Sequence, residues 1–311
     1  MTLLVRSRPA ALSATAGVPA PRRRRAARTW RSVRRGVLAT VVFVLAAALL
    51  WEGYKLLGAL TGGRIPGTGL PLPISASDQA MPHILSILKA LGAPASAVSD
   101  QALFVYLLQE TSITMREAGY GLLLGAAIGV VLAVALREIP VLARGVVPWL
   151  VVSQTIPLVA LAPVIVIWVG RADLPSWVAV TIISAYLSFF PVTVNMLTGL
   201  NATESVHVEL MRSVNARRWQ TLVWLRLPAA VPSLFSGLRL AATASVIGAI
   251  VGELSAGTGS GIGRAILSAA YFYSNAPETL FAAVLVASLA GVLFVQIIAV
   301  LEIIVLRRRN A

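Results

Sequence analysis

Few side chains of this 311-residue sequence are equipped for bond chemistry. There is no cysteine, which excludes thiolate nucleophiles, disulfides and Cys-ligated metals. The two histidines, His83 and His207, are far apart and join no ligand cluster, so no metal site is expected. No nucleophile with a partnering base stands out, and no catalytic residue is assigned. Gly257, Gly259, Gly261 and Gly263 form a glycine-rich stretch. It lacks the Gly-Lys-Ser/Thr of a phosphate-binding loop and reads as an outer turn. What remains are polar residues embedded in long apolar runs: Gln154, Ser184, Ser188, Asn195 and Glu253. Polar groups are costly in a bilayer, so each is a candidate for lining a translocation pathway. Their chemistry is hydrogen bonding, either to a passing solute or between helices. Glu253 is expected near the outer end of its span, within reach of water.

The elements that must position these residues are set by composition. Hydrophobic residues make up 58% and charged residues 12%, against about 25% charged in a soluble domain. One soluble core cannot hide that much apolar surface, whereas a bilayer accepts it on the outward faces of helices. Net charge is +14. No aromatic-interleaved basic surface points to nucleic acid; the charge is that of basic residues at the ends of spans. Residues 1–35 carry ten arginines and little apolar surface and are expected to be a disordered basic tail. The apolar run after them is too long for a typical leader and is expected to be a retained signal-anchor.

Apolar runs of about 20 residues place spans near 37–58, 117–136, 146–169, 177–200, 234–253 and 279–305. The third is interrupted by Pro148, Pro157 and Pro163, which free backbone carbonyls that neighbouring helices or water must satisfy. With the N-terminus inside, the inner segments hold twenty Lys and Arg and the outer ones six. This predicts a multi-pass protein with both termini cytoplasmic. Residues 59–113 form a long outer connection in which Ile84, Leu85, Ile87, Leu88 and Leu91 trace a short amphipathic helix. Gly121, Gly125, Gly129 and Ala133, and likewise Gly237, Ala241, Ser245 and Ala249, recur every four residues. Each set forms one face on which helices can approach closely; a sliding or dimer surface is the alternative.

The inner segment 201–233 is the most informative. Residues 204–214 read as a helix with Val206, Leu210 and Val214 on one face. Asn215 tolerates a left-handed backbone and can end it. A second helix is expected to start near Arg217 and to stop before Pro228.

This segment resembles the Glu-Ala-Ala loop of binding-protein-dependent permeases of ABC importers. Glu209 takes the Glu position, Asn215 the Gly position nine residues before the terminal motif, and Leu225, Leu227 and Pro228 fill its Ile-x-Leu-Pro. The departures are Leu210-Met211 for the Ala pair and Asn215 for Gly. Arg217-Arg218-Trp219-Gln220, Gly237-Leu238-Arg239-Leu240, the run Thr155 to Pro163, and Trp168-Val169-Gly170 look like the nitrate, sulfonate and taurine branch. The resemblance covers about residues 100–306.

It implies an all-α polytopic fold with six transmembrane helices of the type I ABC importer permease kind and a cytoplasmic helix-turn-helix coupling loop. The parts would be the basic tail 1–35, a first span with outer connection 36–116, the permease core 117–306 and a basic tail 307–311. It also implies a cell-membrane permease subunit that is not itself an enzyme and binds no cofactor. ATP and Mg would be used by a separate cytoplasmic ATPase, present in two copies. Glu209, Leu210, Met211, Asn215, Ala216, Arg217, Leu227 and Pro228 would form the ATPase-coupling loop. A second permease copy, of the same chain, and an extracytoplasmic substrate-binding protein or lipoprotein would complete the assembly. Tyr271, Phe272 and Tyr273 follow a short helix expected from Ile262; they could meet the binding protein, line an outer gate, or anchor at the interface. For the cargo, nitrate, sulfonate, taurine or a related organic anion stands beside a thiamine-precursor pyrimidine, riboflavin or another small heterocycle. Arg239 could attract an anion or serve as a structural charge. A stand-alone secondary transporter would show inverted repeats and midplane ion pairs, and neither is visible.

Overall fold

The computed structural model describes residues 42, 44–65, 67, 69–96, 99–257 and 259–309. Two units are distinguished, divided after Ala76. In the first, residues 44–60 form helix α1, followed by a turn with left-handed Gly62 and Gly63. The Tyr54 hydroxyl donates to the Ile74 carbonyl at 2.9 Å and accepts the Ile74 N–H at 3.1 Å, which folds the segment back on itself. The expected first span, 37–58, lies partly outside the described residues.

The second unit opens with the short helix α2 (Ile84–Ala90) and a two-stranded antiparallel ribbon, β1 (Pro94–Ser96) and β2 (Ser99–Ala102). Long helices follow: α3 (Leu103–Glu138), α4 (Pro140–Ser153), α5 (Leu158–Arg171) and α6 (Ser176–Asn201). Beyond them come α7 (Ser205–Ser213), α8 (Arg218–Thr221), a π-helical turn (Leu222–Arg226), α9 (Leu227–Ala256), α10 (Ile262–Tyr271) and α11 (Pro277–Arg309). Among the described residues four helical runs are long and apolar enough to cross a membrane: α3, α6, Arg218–Ala256 and Pro277–Arg307. The pair α4 and α5 would make a fifth crossing, bent by 100°.

Three of these boundaries differ from the sequence expectation. The helix expected at 117–136 begins at Leu103. Its 36 residues reach about 54 Å at 1.5 Å per residue, well beyond the roughly 30 Å of hydrocarbon; hydropathy marks only the stretch suited to lipid. The expected single span 146–169 is two helices. Of its three prolines, Pro157 makes the break by taking an extended backbone, while Pro148 and Pro163 lie inside helices. The Tyr186 hydroxyl from α6 donates to the Ser153 carbonyl at the end of α4, satisfying a group the break sets free. Finally, the helix expected to stop before Pro228 runs on into α9. The π-helical turn absorbs the proline, whose missing N–H then falls in a stretch already departing from α geometry.

The core is a three-helix contact. α6 lies between α3, which runs parallel to it, and α9, which runs antiparallel. A Cβ added at Gly121 would lie 2.2 Å from the Ser184 Cβ, and one at Gly248 would lie 2.8 Å from the Ser184 Cα. One turn along, Gly125 meets Ser188; two turns along, Gly129 and Gly237 close on Val192 from opposite sides. The α3 stripe therefore packs against α6, and the α9 stripe lies between α6, met by Gly237 and Ala241, and α3, met by Ser245. Ala133, Met196, Leu200 and Ala230 continue the contact at one end, and Ala118, Val180 and Ala249 at the other. α5 covers another side of α6 through Ala162, Ile165 and Val169. α11 lies antiparallel on α9, joined by a 2.6 Å ion pair between Arg239 and Glu302.

Gly121→Leu is expected to cost about 3 kcal/mol by overpacking, whereas Gly145→Ala, with nothing within 4 Å of the new Cβ, should be neutral. Melting temperatures of the two variants in detergent would separate them; equal melting would refute the close contact.

Candidate functional site

Because α3 and α6 run parallel and α9 and α11 run against them, the bundle has two distinct ends. One gathers Glu138, Asn201, Leu227 and the C-terminal part of α11; the connection 202–226 belongs to it. The other gathers the beginning of α3, the end of α9 and α10.

At the first end, the connection is built around one left-handed residue. Asn215 has φ of 54°. Its N–H donates to the Arg212 carbonyl at 2.9 Å, and the Ala216 N–H donates to the Met211 carbonyl at 2.9 Å. These two bonds satisfy the last orphan carbonyls of α7 and turn the chain sharply. The Gln220 Oε1 then accepts the Arg217 N–H at 2.7 Å and starts α8. Before this turn one face of α7 is left exposed. Val206, Leu210 and Val214 are 68%, 61% and 67% exposed, an apolar stripe with the four-residue spacing of one helix face. Glu209 and Arg217 are exposed beside it, and Met211 and Ala216 are half-buried. Leu227 packs with Leu222 on Met196 and Leu200, so that end of the connection is fastened to the core, with Pro228 half-buried next to it. Trp219 and Trp224, both exposed, stack edge to face at 6.2 Å.

At the second end, α10 begins at Gly261, and its leading N–H groups need acceptors that its own sequence does not supply. Side chains from two other helices supply them. Glu110 accepts the Gly261 N–H, Thr114 accepts the Ile262 N–H at 2.8 Å, and Glu253 accepts the Gly263 N–H at 2.7 Å. Carboxylates at the positive end of a helix are also favoured by its dipole. Glu253 is fully buried, not water-exposed as its position near a span end implies; Gly261 and Gly263 at the start of α10 close on it. Gly261 has φ of 105°, and a Cβ there would lie 2.2 Å from the Glu253 carboxyl carbon. Glu117, also buried, adds a further carboxyl on α3. Of these residues the sequence marks only Glu253. Glu110 and Thr114 lie before the expected span 117–136 and Glu117 is its first residue; no local spacing links them to Glu253 in the expected span 234–253. Beyond α10, Tyr271 and Phe272 are exposed, while the Tyr273 hydroxyl donates to the Gln79 carbonyl.

The remaining polar candidates are not gathered in one place. Ser184 and Ser188 are buried in the three-helix contact. The Ser188 hydroxyl lies 2.7 Å from the Ser184 carbonyl and 3.2 Å from the Ala241 carbonyl of α9. Ser245 likewise donates across to the Ala118 carbonyl of α3. Asn195 is half-buried and donates to the Pro191 carbonyl at 2.8 Å. Gln154 is exposed at the α4–α5 break and donates to the Ser153 hydroxyl at 3.3 Å. Among the described residues no group of three His, Asp or Glu is arranged to hold a metal.

A bundle of apolar helices with a structured, outward-facing connection between two of them defines a membrane permease component. Residues 121–307 match the family described as binding-protein-dependent transport system inner membrane component, and the chain belongs to it; it is an ABC importer permease. It is 35% identical to the formylaminopyrimidine transport permease protein ThiX of Halalkalibacterium halodurans, over 68% of this chain and 81% of that protein. Against the putative aliphatic sulfonates transport permease protein SsuC of Bacillus subtilis it is 26% identical, over 86% and 87%. The fold matches a crystal structure of an amino acid ABC transporter at a TM-score of 0.53, with 15% identity, covering 64% of this chain and 94% of that one.

Two substitutions test the geometry of the ends. Asn215→Gly should leave transport intact, while Asn215→Val, forced to a positive φ at a cost of roughly 1–2 kcal/mol, should reduce it severalfold; equal uptake rates would undo the turn. Gly261→Ala should lower the melting temperature and speed hydrogen exchange at the α10 N–H groups, and unchanged exchange there would refute the capping by Glu110, Thr114 and Glu253.

Proposed function

We propose that this chain forms, with a second copy of itself, the translocation pathway of an importer driven by two cytoplasmic ATPase subunits and supplied by an extracytoplasmic binding protein or lipoprotein. The exposed apolar stripe of α7 carries this reading. A nine-residue helix with no fully buried side chain gains little by itself; a groove on a partner would cover Val206, Leu210 and Val214. Glu209, Leu210, Met211, Asn215, Ala216 and Arg217 would then contact the ATPase, with Leu227 and Pro228 carrying its movement into α9. ATP and Mg would be bound by that subunit, and this chain would supply no catalytic residue.

In this arrangement six spans cross the cell membrane: α1, α3, the broken pair α4–α5, α6, α9 and α11. Both termini would be cytoplasmic, on the strength of the Lys and Arg distribution. The tail 1–35, the segment 36–116, the core 117–306 and the tail 307–311 are its parts. Tyr271 and Phe272, exposed beyond α10, would face the binding protein or the outer gate together with Tyr273. Gln154, Ser184, Ser188, Asn195 and Glu253 stay pathway candidates, of which Ser184 and Ser188 would need the helices to part before a solute could meet them.

The cargo is a small solute. Nitrate, sulfonate, taurine or a related organic anion follows from the branch to which the motifs belong. A thiamine-precursor pyrimidine is favoured by the higher identity to ThiX, 35% against 26% for SsuC. Co-expression with the neighbouring ATPase and binding-protein genes, followed by purification and ATPase assays with each candidate ligand, distinguishes these. A complex stimulated by one loaded binding protein is the expected result and names the cargo; a folded chain that never retains its ATPase would overturn the reading. Ala216→Asp should leave insertion unchanged and lower ligand-stimulated ATPase activity by about tenfold or more, since a buried unpaired charge at an interface costs several kcal/mol; normal stimulation would refute docking through α7.

A further inference from the structure

The end of the bundle that carries α7 also holds a cleft of about 450 Å³ between the last turn of α3, the start of α4 and the connection. Arg137, Arg212, Arg218 and Arg226 line it, with Glu138 as the one carboxylate among its lining residues. Glu138 is already engaged by Arg226 at 3.3 Å. The other three arginines, of which Arg212 and Arg218 are exposed, line the same cavity with no second carboxylate among its lining residues. Like charges around one cavity repel, and an anion in it would relieve the repulsion. The planar guanidinium fork matches the oxygens of a phosphate group.

The surroundings indicate where that phosphate comes from. Arg137 lies in the last turn of α3, and Arg218 and Arg226 lie at the start of the run Arg218–Ala256, so the cleft sits at the ends of membrane-spanning helices. Pro140 and Val208 add apolar wall to it, and Ile139, Val141, Trp219 and Trp224, exposed apolar residues near its lining residues in sequence, lie at the same end of the bundle. Tryptophan favours the headgroup depth of a bilayer. A basic cavity at the ends of membrane-spanning helices suits an anionic amphiphile, with its phosphate inside and its chains in the bilayer.

We propose that this cleft binds the phosphate of an anionic phospholipid. Val208, Arg212 and Ala216 belong to its wall, so a bound headgroup would bridge α3 to the C-terminal half of α7 and to the turn that follows it. Of its lining residues Ala216 is also among the proposed ATPase contacts, whereas Val206, Leu210 and Val214 of the exposed stripe lie outside it.

The test is native mass spectrometry and thermal melting of the full chain, stripped of lipid in detergent. Phosphatidylglycerol, phosphatidylcholine and inorganic phosphate are added in separate arms to wild type, the double variant Arg212→Gln/Arg218→Gln, and Arg171→Gln as a charge-loss control elsewhere. Phosphatidylglycerol should be retained by wild type and the control and should raise their melting temperatures. The double variant should bind it about thirtyfold more weakly, from roughly fivefold per lost arginine. Equal retention by the double variant, or equal retention of phosphatidylcholine, overturns the proposal. An equal rise in melting temperature with inorganic phosphate alone overturns the lipid assignment in favour of a soluble anion. Loss of the ATPase subunit by the double variant with lipid retention unchanged gives these arginines to the protein partner and overturns it as well.

Discussion

In lipid there is no hydrophobic force between helices, because the solvent is as apolar as their side chains. Association must come from dispersion contact at short range and from hydrogen bonds that the bilayer cannot supply. In this chain both are concentrated on one helix. Ser184 is closed on by Gly121 from α3 and by Gly248 from α9, and Val192 by Gly129 and Gly237. The Ser188 and Ser245 hydroxyls span neighbouring helices within the same layers. Any larger side chain in these rows would push α3 or α9 outward, and both functional ends of the bundle would move with it. The connection 202–226 emerges where α6 stops and α9 begins, and the α10 caps come from α3 and α9. The placement of each is therefore inherited from this contact.

The two ends solve the problem of helix termini differently. α7 closes its C-terminus locally, with Asn215 and Ala216 returning to carbonyls of the last turn. A local solution leaves its outward face free. α10 has no acidic residue in its first turn and no side-chain cap of its own. It draws on Glu110, Thr114 and Glu253 from elsewhere, and its position is tied to two long helices at once. The first arrangement suits a surface offered to a partner, and the second a segment whose orientation must follow the bundle.

This contrast explains what could be read from the sequence. The α7 turn was legible because all its determinants lie within a few residues: an apolar stripe at 206, 210 and 214, then a residue suited to positive φ. The small-residue stripes were legible as faces, since spacing of four is local too. That the α3 stripe closes on Ser184 and Ser188 of α6, and that the α9 stripe lies between α6 and α3, was not legible; it depends on the register of three segments distant in the chain. The full length of α3 escaped for another reason. Hydropathy reports what lipid accepts, and the stretch from Leu103 to Arg116 mixes Gln109, Glu110 and Arg116 among its apolar residues. Likewise a count of prolines in 146–169 could not tell which one breaks the helix, because Pro148 and Pro163 are accommodated and Pro157 is not.

The trans-capping of α10 also bears on where this protein can be cut. The segment that matches its family begins at residue 121, a natural choice for an excised core. Such a fragment would retain α10 and Glu253 yet discard Glu110 and Thr114. It would expose two backbone donors at the tip of α10 and strip α3 of its first half. The smallest autonomous piece of this permease thus has to start upstream of the region by which it is recognised, at or before the first turn of α3.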